Sequence, residues 1–266
     1  MKILNTDGKE QGNIDLPQQF KEEIRSDIVK RAVEVIQSNN RQPYGASPRA
    51  GKRNSVNVSK QRHDYKTSYG LGIGRTPRKI MSRNGTQMNW VGAFAPNTVG
   101  GRRAHPPNAG KIVSKAINDK ERKKAIRCAL AASIDKNSVK LRGHIIPTNY
   151  PFFVSNNFEE LAKTKDVQKA LEIIGLSDEL SRTRCSKIRS GRGKLRGRKY
   201  KTKKGPLIVV GKECRLMKSA QNIPGVEIVL IKNINCELLA PGTSIGRLTL
   251  FTENSIKELK EKKLFI

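Results

Sequence analysis

Acidic residues are scarce in this chain of 266 amino acids. It holds 23 Asp and Glu against 53 Lys and Arg, a formal net charge of +30, and its pI is about 10.3. A charge this large exceeds what solubility requires and indicates a polyanionic partner, nucleic acid first and an anionic membrane surface second. The basic stretches lack the paired carboxylates of metal-dependent nucleases, and no G-x-S-x-G motif occurs. We therefore predict a binding protein and not an enzyme.

Long apolar runs are also missing. The longest pieces, such as residues 207–210 and 226–231, are far shorter than the ~20 residues that span a bilayer. The opening sequence MKILNTDGKE has no apolar stretch of the kind that signal peptides contain. These absences weaken the membrane alternative, and we expect an intracellular, cytoplasmic protein.

The few cysteines and histidines do not form a recognisable metal motif. Cys128, Cys185, Cys214 and Cys236 are tens of residues apart, without a C-x-x-C pair. A zinc ribbon or a disulfide framework would need closer spacing, so we expect reduced, structurally ordinary thiols. The three histidines, His63, His105 and His144, lie far in sequence from any cysteine or acidic cluster. We predict no metal site and no cofactor.

The positive charge is concentrated in two segments. Residues 41–110 contain 13 Lys and Arg and a single acid, Asp64, with 10 of the 22 glycines, 6 of the 12 prolines and only seven Val, Ile or Leu. Such a segment cannot build a core, so we predict a long loop that is disordered alone and ordered on RNA. A solvated insertion is the alternative. Aromatic side chains that could stack on bases are interleaved with the cations: Tyr44, Tyr65, Tyr69, Trp90 and Phe94.

The second segment, residues 181–206, carries 12 cations and no acid between positions 182 and 204. Its glycines, Gly191, Gly193 and Gly197, alternate with basic residues, so the backbone can approach phosphates while guanidinium groups bind them. We predict a phosphate-binding loop here. A solvated face or a localisation signal is the usual alternative for a charge run.

The remaining sequence alternates between strand-like and helical patterns. Strands are predicted at residues 2–5, 207–210, 226–231 and 248–252, and helices at residues 27–38 with Ser26 as N-cap, from Asn118 in a capping box with Glu121, at 164–174 ending at Gly175, and at 213–220, 235–239 and 254–262. Strands that return after helical crossovers lie parallel and need helices on both faces. We therefore predict an α/β fold, a three-layer domain with a mainly parallel sheet, plus the long basic Gly/Pro-rich extended loop.

The stretch YGLGIGRTPRKI contains Gly70, Gly72 and Gly74 and invites comparison with the dinucleotide-binding fingerprint. That motif needs a preceding strand, a helix that opens on the glycines, and an acid about 20 residues later. Polar residues precede these glycines, Pro77 follows them, and no acid occurs between Asp64 and Asp119. A dinucleotide-binding enzyme is therefore the weakest alternative.

Four longer motifs resemble one family over nearly the whole chain: GAFAPNTVGGRRAHPPNAGK, GKLRGRKYKTKKGPLIVV, NIPGVEIV and ELLAPGTSIGRLTLFTENSI. They are similar to the archaeal and eukaryotic form of the fourth large-subunit ribosomal protein, and an archaeal-type member is expected. The resemblance implies a globular domain, residues 1–40 and 111–266, and a loop, residues 41–110, that threads through large-subunit rRNA. It also implies that the loop tip helps form the constriction of the peptide exit tunnel together with large-subunit protein twenty-two, beside the nascent peptide.

Mapped onto this sequence, the tunnel tip is Gly72, Ile73, Gly74, Arg75 and Thr76. The predicted rRNA-binding residues are Arg75, Arg78, Lys79, Arg83, Arg102 and Arg103 along the loop, and Arg192, Lys194, Arg196, Arg198 and Lys199 in the second segment. Tyr69 and Trp90 are candidates for base stacking, although either could instead brace the turn of the loop. A free RNA-binding regulator that represses its own messenger is compatible with the same residues.

Overall fold

The computed structural model describes residues 1–56, 58–64, 67–70, 72, 74–84 and 87–266. The chain divides into two compact units, which we call the main unit, Met1–Asn40 with Ser114–Ile266, and the inserted unit, Arg41–Val113. Among the described residues, no helix combines the length and apolar character needed to cross a membrane.

The described residues form ten strands and eight α-helices. The strands are β1 (Lys2–Leu4), β2 (Glu10–Asn13), β3 (Arg78–Asn84), β4 (Gln87–Gly92), β5 (Phe153–Val154), β6 (Lys187–Ile188), β7 (Tyr200–Lys201), β8 (Leu207–Val210), β9 (Glu227–Leu230) and β10 (Thr249–Phe251). The helices are α1 (Ser26–Asn39), α2 (Asp119–Ile134), α3 (Lys136–Leu141), α4 (Thr164–Leu171), α5 (Ser177–Arg184), α6 (Leu216–Ala220), α7 (Cys236–Leu239) and α8 (Glu253–Glu261). The predicted mixed α/β class is confirmed.

Strand β8 is the centre of one of the two three-stranded sheets of the main unit. It pairs in parallel with β10, Leu207 opposite Thr249, and with β9, Leu207 opposite Glu227. A second sheet has the order β2-β1-β5, in which β1 is antiparallel to β2 and parallel to β5. A parallel bridge between Val154 and Thr252 connects β5 with the residue after β10.

Both faces of β8 are buried, because its side chains alternate between two apolar clusters. Leu207 and Val209 belong to one cluster, with side chains from α1, α2, α7 and α8. Ile208 and Val210 belong to the other, with side chains from α4, α5 and α6. Full burial of each aliphatic side chain is worth about 1.5–3 kcal/mol, and burial on both sides explains why this strand is a continuous apolar run.

Two predicted helix starts are wrong in detail. Helix α1 takes Arg25 as its N-cap, and Ser26 is already the first helical residue. Asn118 is the N-cap of α2, but its side chain makes no capping hydrogen bond. Glu121 forms no capping box because its carboxylate pairs instead with Arg31 of α1, at 3.2 Å.

Gly175 adopts the predicted left-handed conformation, with φ of +96°. It lies in a π-helical turn, Glu172–Leu176, that follows α4. The helical path then resumes as α5, which the sequence analysis did not predict. Residues 181–184 at the start of the predicted basic loop are therefore helical.

The part of the inserted unit that the structure describes contains almost no apolar core. Of its described residues, Ala93 is the only apolar one that is buried. Its regular structure is the antiparallel hairpin of β3 and β4, with Arg78 opposite Gly92. This hairpin was not predicted, because the segment's composition gave no strand signal.

Candidate nucleic-acid interface

We call residues 69–78 the tip region of the inserted unit, and its described residues are held together by arginine side chains. The guanidinium carbon of Arg75 lies 4.0 Å from the centre of the Tyr69 ring, and that of Arg62 lies 5.4 Å from it. The Nη1 atom of Arg78 donates to the carbonyl oxygens of Gly74, at 2.5 Å, and Thr76, at 3.5 Å. Tyr69 and Arg78 therefore brace this turn, while Arg75 remains exposed.

The glycines of the tip are needed for their backbone conformation. Gly70 and Gly72 have φ of +75° and +65°, a region that favours glycine. A Cβ at either position would meet no described atom within 4 Å, so crowding by the chain itself is not the reason. Strand β3 follows the tip where a dinucleotide site requires a helix, which argues against that alternative. The predicted tip residue Ile73, and Tyr65 before it, lie outside the described residues.

The hairpin after the tip carries three more of the predicted residues. Lys79, half-buried, pairs across the strands with Val91, and Trp90 pairs with Ile80. Trp90 is half-buried, and its indole Nε1 is enclosed without a hydrogen-bond partner among the described residues. The backbone of Arg83 pairs with Met88, and the Arg83 side chain lies outside the described part of the structure.

Two stretches of the inserted unit, residues 45–51 and 102–109, lie so close together that their backbones are in contact; we call them the two legs of this unit. The amide of Ala46 donates to the carbonyl of Pro107 at 2.9 Å. A Cβ on Gly45 would lie 2.2 Å from the nitrogen of Ala109, and one on Gly51 would lie 2.6 Å from the Cα of Arg102. Glycine is therefore required at both contacts, because any side chain would separate the legs.

Arg102 lies at this contact, and Arg103 is the next residue along the chain. Arg102 is half-buried and Arg103 is exposed. The backbone amide of Arg102 donates to the carbonyl of Phe94 at 3.3 Å, which fixes the leg against the end of the hairpin region. The leg thus presents one partly packed and one solvated guanidinium.

The second basic segment forms a small hairpin in the main unit. Lys187 pairs with Lys201 and Ile188 with Tyr200, and between β6 and β7 lies a 3₁₀ turn, Arg192–Arg196. Gly191 and Gly197 flank the turn with φ of +76° and +75°. The RNA-binding residues predicted for this second segment all lie on the hairpin and are exposed: Arg192, Lys194, Arg196, Arg198 and Lys199.

Arg189 was not singled out from the sequence, yet it braces the same hairpin. Its Nε donates to the carbonyl of Arg198 at 3.0 Å, and its Nη2 to that of Tyr200 at 3.5 Å. Tyr200 is 58% exposed, and Lys199 Nζ lies 5.4 Å from the centre of its ring. An exposed aromatic ring among cations is suited to base stacking, so Tyr200 joins the candidates.

A buried ionic cluster lies near the base of this hairpin, in the main unit. Glu179 of α5 is fully buried and accepts hydrogen bonds from Arg182 Nε (2.7 Å) and Nη2 (2.6 Å) and from the amide of Ile145 (3.0 Å). His144 Nδ1 lies 2.7 Å from Glu179 Oε1. Burial alone would raise the pKa of Glu179, but the hydrogen bonds from Arg182 and His144 outweigh it and lower the pKa to about 2. Burial lowers the pKa of His144, against the opposing effect of Glu179.

The contact between His144 and Glu179 was not predicted from the sequence. His144 and Glu179 are 35 residues apart in sequence, and the fold brings them into contact. A lone histidine and a lone glutamate give no pattern that sequence reasoning could have used.

Arg247 is a second buried cation that the sequence analysis missed. It is 0% exposed; its Nε donates to the carbonyl of Gly205 at 3.0 Å, and its Nη1 donates to Glu227 Oε2 at 2.6 Å and to the carbonyl of Leu238 at 2.9 Å. Its Nη2 is buried without a partner among the described residues. Burial lowers the pKa of Arg247 to about 10, so the side chain stays charged at neutral pH.

The exposed cations of the β6–β7 hairpin, and Arg75 and Arg103 of the inserted unit, are typical of the class of proteins that bind a polyanion. The family model described as "Ribosomal protein L4/L1 family" matches residues 14–262. The chain therefore belongs to the ribosomal protein L4/L1 family, and the predicted resemblance is confirmed.

Three archaeal relatives are similar over nearly their full length. The large ribosomal subunit protein uL4 of Nanoarchaeum equitans is 48% identical over 264 residues, which cover 99% of this chain and 98% of that protein. The proteins of the same name from Archaeoglobus fulgidus and Methanocaldococcus jannaschii are 41% identical over 261 residues and 42% identical over 263 residues, each covering 98% of both chains. The prediction of an archaeal-type member agrees with these relatives.

Proposed function

We propose that this protein is a structural constituent of the large ribosomal subunit and binds large-subunit rRNA in cytoplasmic ribosomes. The observation that carries the proposal is the near-complete match to relatives named as large-subunit proteins. The net charge of +30 agrees with an RNA partner. Other large-subunit proteins are its expected neighbours.

Two surfaces are proposed to bind rRNA, mainly through phosphates. The first follows the inserted unit and consists of Arg75, Arg78, Lys79, Arg83, Arg102 and Arg103. The second is the β6–β7 hairpin with Arg192, Lys194, Arg196, Arg198 and Lys199. The exposure of the second group supports direct contact, because exposed cations can reach RNA phosphates. Neutralising those phosphates releases counterions from the RNA, which favours binding. Tyr69, Trp90 and Tyr200 are the proposed stacking residues.

The inserted unit is proposed to extend through rRNA, with residues 72–76 at the constriction of the peptide exit tunnel. There it would lie beside protein twenty-two of the large subunit and contact the nascent peptide. The scarcity of buried apolar side chains among the described residues of this unit supports the proposal, because a segment with little core of its own needs an external surface to define its shape. The left-handed glycines of the tip are compatible with close RNA walls.

The main unit is proposed to be a three-layer domain around a mainly parallel sheet. The support is the division of β8 side chains between two apolar clusters with different helices. This arrangement leaves the β6–β7 hairpin at the surface, where it can reach RNA.

The test is the sedimentation of tagged protein expressed in its own cells. A structural constituent runs mostly with large subunits, whereas a free RNA-binding regulator runs mostly in light fractions. Limited proteolysis adds a second readout: residues 41–110 should be cleaved rapidly in the free chain and protected in purified large subunits. Equal cleavage in both states would contradict the threading of the segment through RNA.

A further inference from the structure

The main unit contains a cleft that shares Lys187 and Lys201 with the base of the β6–β7 hairpin but includes none of the proposed rRNA-binding residues. It lies between the C-terminal end of α3, the base of the β6–β7 hairpin and the turn at residues 243–245, and its volume is about 740 Å³. This is within the range of about 300–1,000 Å³ that small-molecule sites occupy.

The described lining of the cleft contains six cations and no carboxylate. They are Arg142, Arg182, Lys187, Lys201, Lys203 and Lys204. Lys187 and Lys201 are exposed, Lys203 is half-buried, and Lys204 pairs with Glu227. A concave surface with one sign of charge concentrates ligands of the opposite sign.

The two arginines of the cleft are fixed in place before any ligand arrives. Arg142 donates from Nη1 to the carbonyl of Ser244 and from Nη2 to that of Pro241, at 2.7 Å. Arg182 is held by Glu179 and donates to the carbonyl of Lys204 at 2.8 Å. Each guanidinium has five donor hydrogens, so both retain donors for a ligand. Such pre-organisation lowers the entropy lost on binding.

The charges around the cleft do not balance, and they are buried to different degrees: Arg247 is buried, Arg142 and Arg182 are half-buried, and Lys204 is exposed. Arg142, Arg182, Lys204 and Arg247 carry four positive charges, and their carboxylate partners are Glu179 and Glu227. Burial, and then the neighbouring Arg247 and Arg182, lower the pKa of Arg142 to about 10. This excess of positive charge around a concave, partly enclosed surface favours the entry of an anion.

The cleft also has an apolar side. Leu141 is 89% exposed at its edge, and Ile245 is half-buried in its lining. An exposed leucine beside fixed arginines fits a ligand with an anionic group and a flat, weakly polar group. A nucleotide has both, whereas inorganic phosphate has only the first.

We propose that this cleft binds one nucleotide of an RNA strand, its phosphate on Arg142 and the cleft lysines and its base against Leu141. The inference rests on the proposed function and adds a third RNA contact, built from α3 and the turn at 243–245. It concerns a single-nucleotide site and is independent of the tunnel tip.

Lysine acylation with mass spectrometry tests the proposal on the full-length protein. The probes are a mixed-sequence single-stranded RNA decamer and, separately, inorganic phosphate at the same phosphate concentration. With the decamer, Lys203, which lines the cleft outside the two strands of the hairpin, should react at least about fivefold more slowly, and so should Lys187 and Lys201. Lys165 and Lys169 of α4, which are exposed and outside the cleft, should keep their rates. Equal protection of both lysine groups, no protection, or full protection by phosphate alone would each overturn the proposal.

A matched pair of substitutions gives an independent readout. Leu141→Glu places a negative charge at the edge of the cleft and should weaken decamer binding about tenfold, because it repels the phosphate. Ile173→Glu changes the charge equally at another exposed apolar position, 57% exposed, and should leave affinity within about twofold. Equal effects of the two substitutions would contradict a site at the cleft.

The same acylation on purified large subunits separates this inference from the proposed function. If the protein sediments with large subunits but its cleft lysines react as fast as in the free chain, the cleft proposal is wrong and the proposed function stands. If the protein does not sediment with large subunits, the proposed function itself is wrong. Protected cleft lysines in sedimented subunits are the expected result.

Discussion

Replacement of Glu179 by glutamine tests whether the buried ionic cluster beneath the cleft holds the main unit together. Glutamine has nearly the same volume as glutamate, so no cavity is made. It removes the negative charge opposite Arg182 and directs an NH₂ donor toward groups that are themselves donors. Glu179 is fully buried, and the Arg182 side chain is only 19% exposed, so water cannot replace the lost partner.

Two independent arguments give the magnitude. Loss of one partner of a buried ion pair costs about 3–5 kcal/mol. The depression of the Glu179 pKa from 4.5 to about 2 corresponds to about 3 kcal/mol of preferential stabilisation of the charged form. We therefore expect Glu179→Gln to lower the free energy of unfolding by about 3 kcal/mol at pH 7, and the melting temperature by roughly 6–12 °C.

The pH dependence gives the assay its signature. Because the folded-state pKa of Glu179 is depressed, its stabilisation is complete above the unfolded-state pKa and is lost as pH falls from about 4.5 toward about 2. Urea unfolding of wild type and variant, followed by circular dichroism between pH 7 and pH 3, should show the difference in unfolding free energy shrinking below about pH 4.5.

Glu172→Gln is the matched control, since Glu172 is an exposed glutamate that follows α4. It should change stability by less than about 0.5 kcal/mol. A loss at Glu179 as small as that of the control, or a difference that does not change with pH, would refute the argument from the ionic cluster.

Three further predictions concern the legs of the inserted unit, the β6–β7 hairpin and the buried arginine. Gly45→Ala should reduce the fraction of tagged protein that sediments with large subunits several-fold, because its Cβ would lie 2.2 Å from the nitrogen of Ala109. The control Gly110→Ala should not reduce this fraction, because its Cβ would come no closer than 3.5 Å to another atom, Oδ1 of Asn108. Equal sedimentation of the two variants would contradict the close approach of the legs. The double variant Arg192→Gln with Arg196→Gln should reduce the slope of log affinity against log salt by about 1.4 for single-stranded RNA, measured by filter binding, whereas an unchanged slope would remove both residues from the phosphate contacts. Arg247→Met should lower the free energy of unfolding, measured by thermal unfolding, by about 3 kcal/mol, because Glu227 and two backbone carbonyls lose their hydrogen-bond donor. A decrease of less than about 1 kcal/mol would show that the stability of the fold does not depend on the buried guanidinium.

The sequence predicted those elements whose signal is local. Residues 207–210 are four consecutive apolar residues, and they form β8 with the predicted ends because such a run suits a strand buried on both faces. Gly175 takes the predicted left-handed conformation because glycine tolerates it. Ser26 failed as an N-cap because competition among neighbouring residues for the cap position is not visible in a single polar side chain.

Features that depend on contacts between distant residues were not predictable. The β3–β4 hairpin lies in a segment rich in glycine and proline, where composition favoured a loop without strands. The cluster of His144, Glu179 and Arg182 joins residues from a loop and from α5, and the cleft adds α3 and a turn about 100 residues later. The cationic character of the surfaces was evident from composition, but the placement of fixed arginines within a cleft needed the fold.

Among the described residues, all buried apolar side chains except that of Ala93 belong to the main unit, and this has a practical consequence for mutational screens. Melting curves of the purified protein should therefore report chiefly on the main unit. Substitutions in residues 41–113 should therefore leave the melting temperature almost unchanged even when they abolish incorporation into ribosomes. A screen based on melting temperature would not distinguish such variants from the wild type, and only an assay of incorporation into ribosomes would detect the defect.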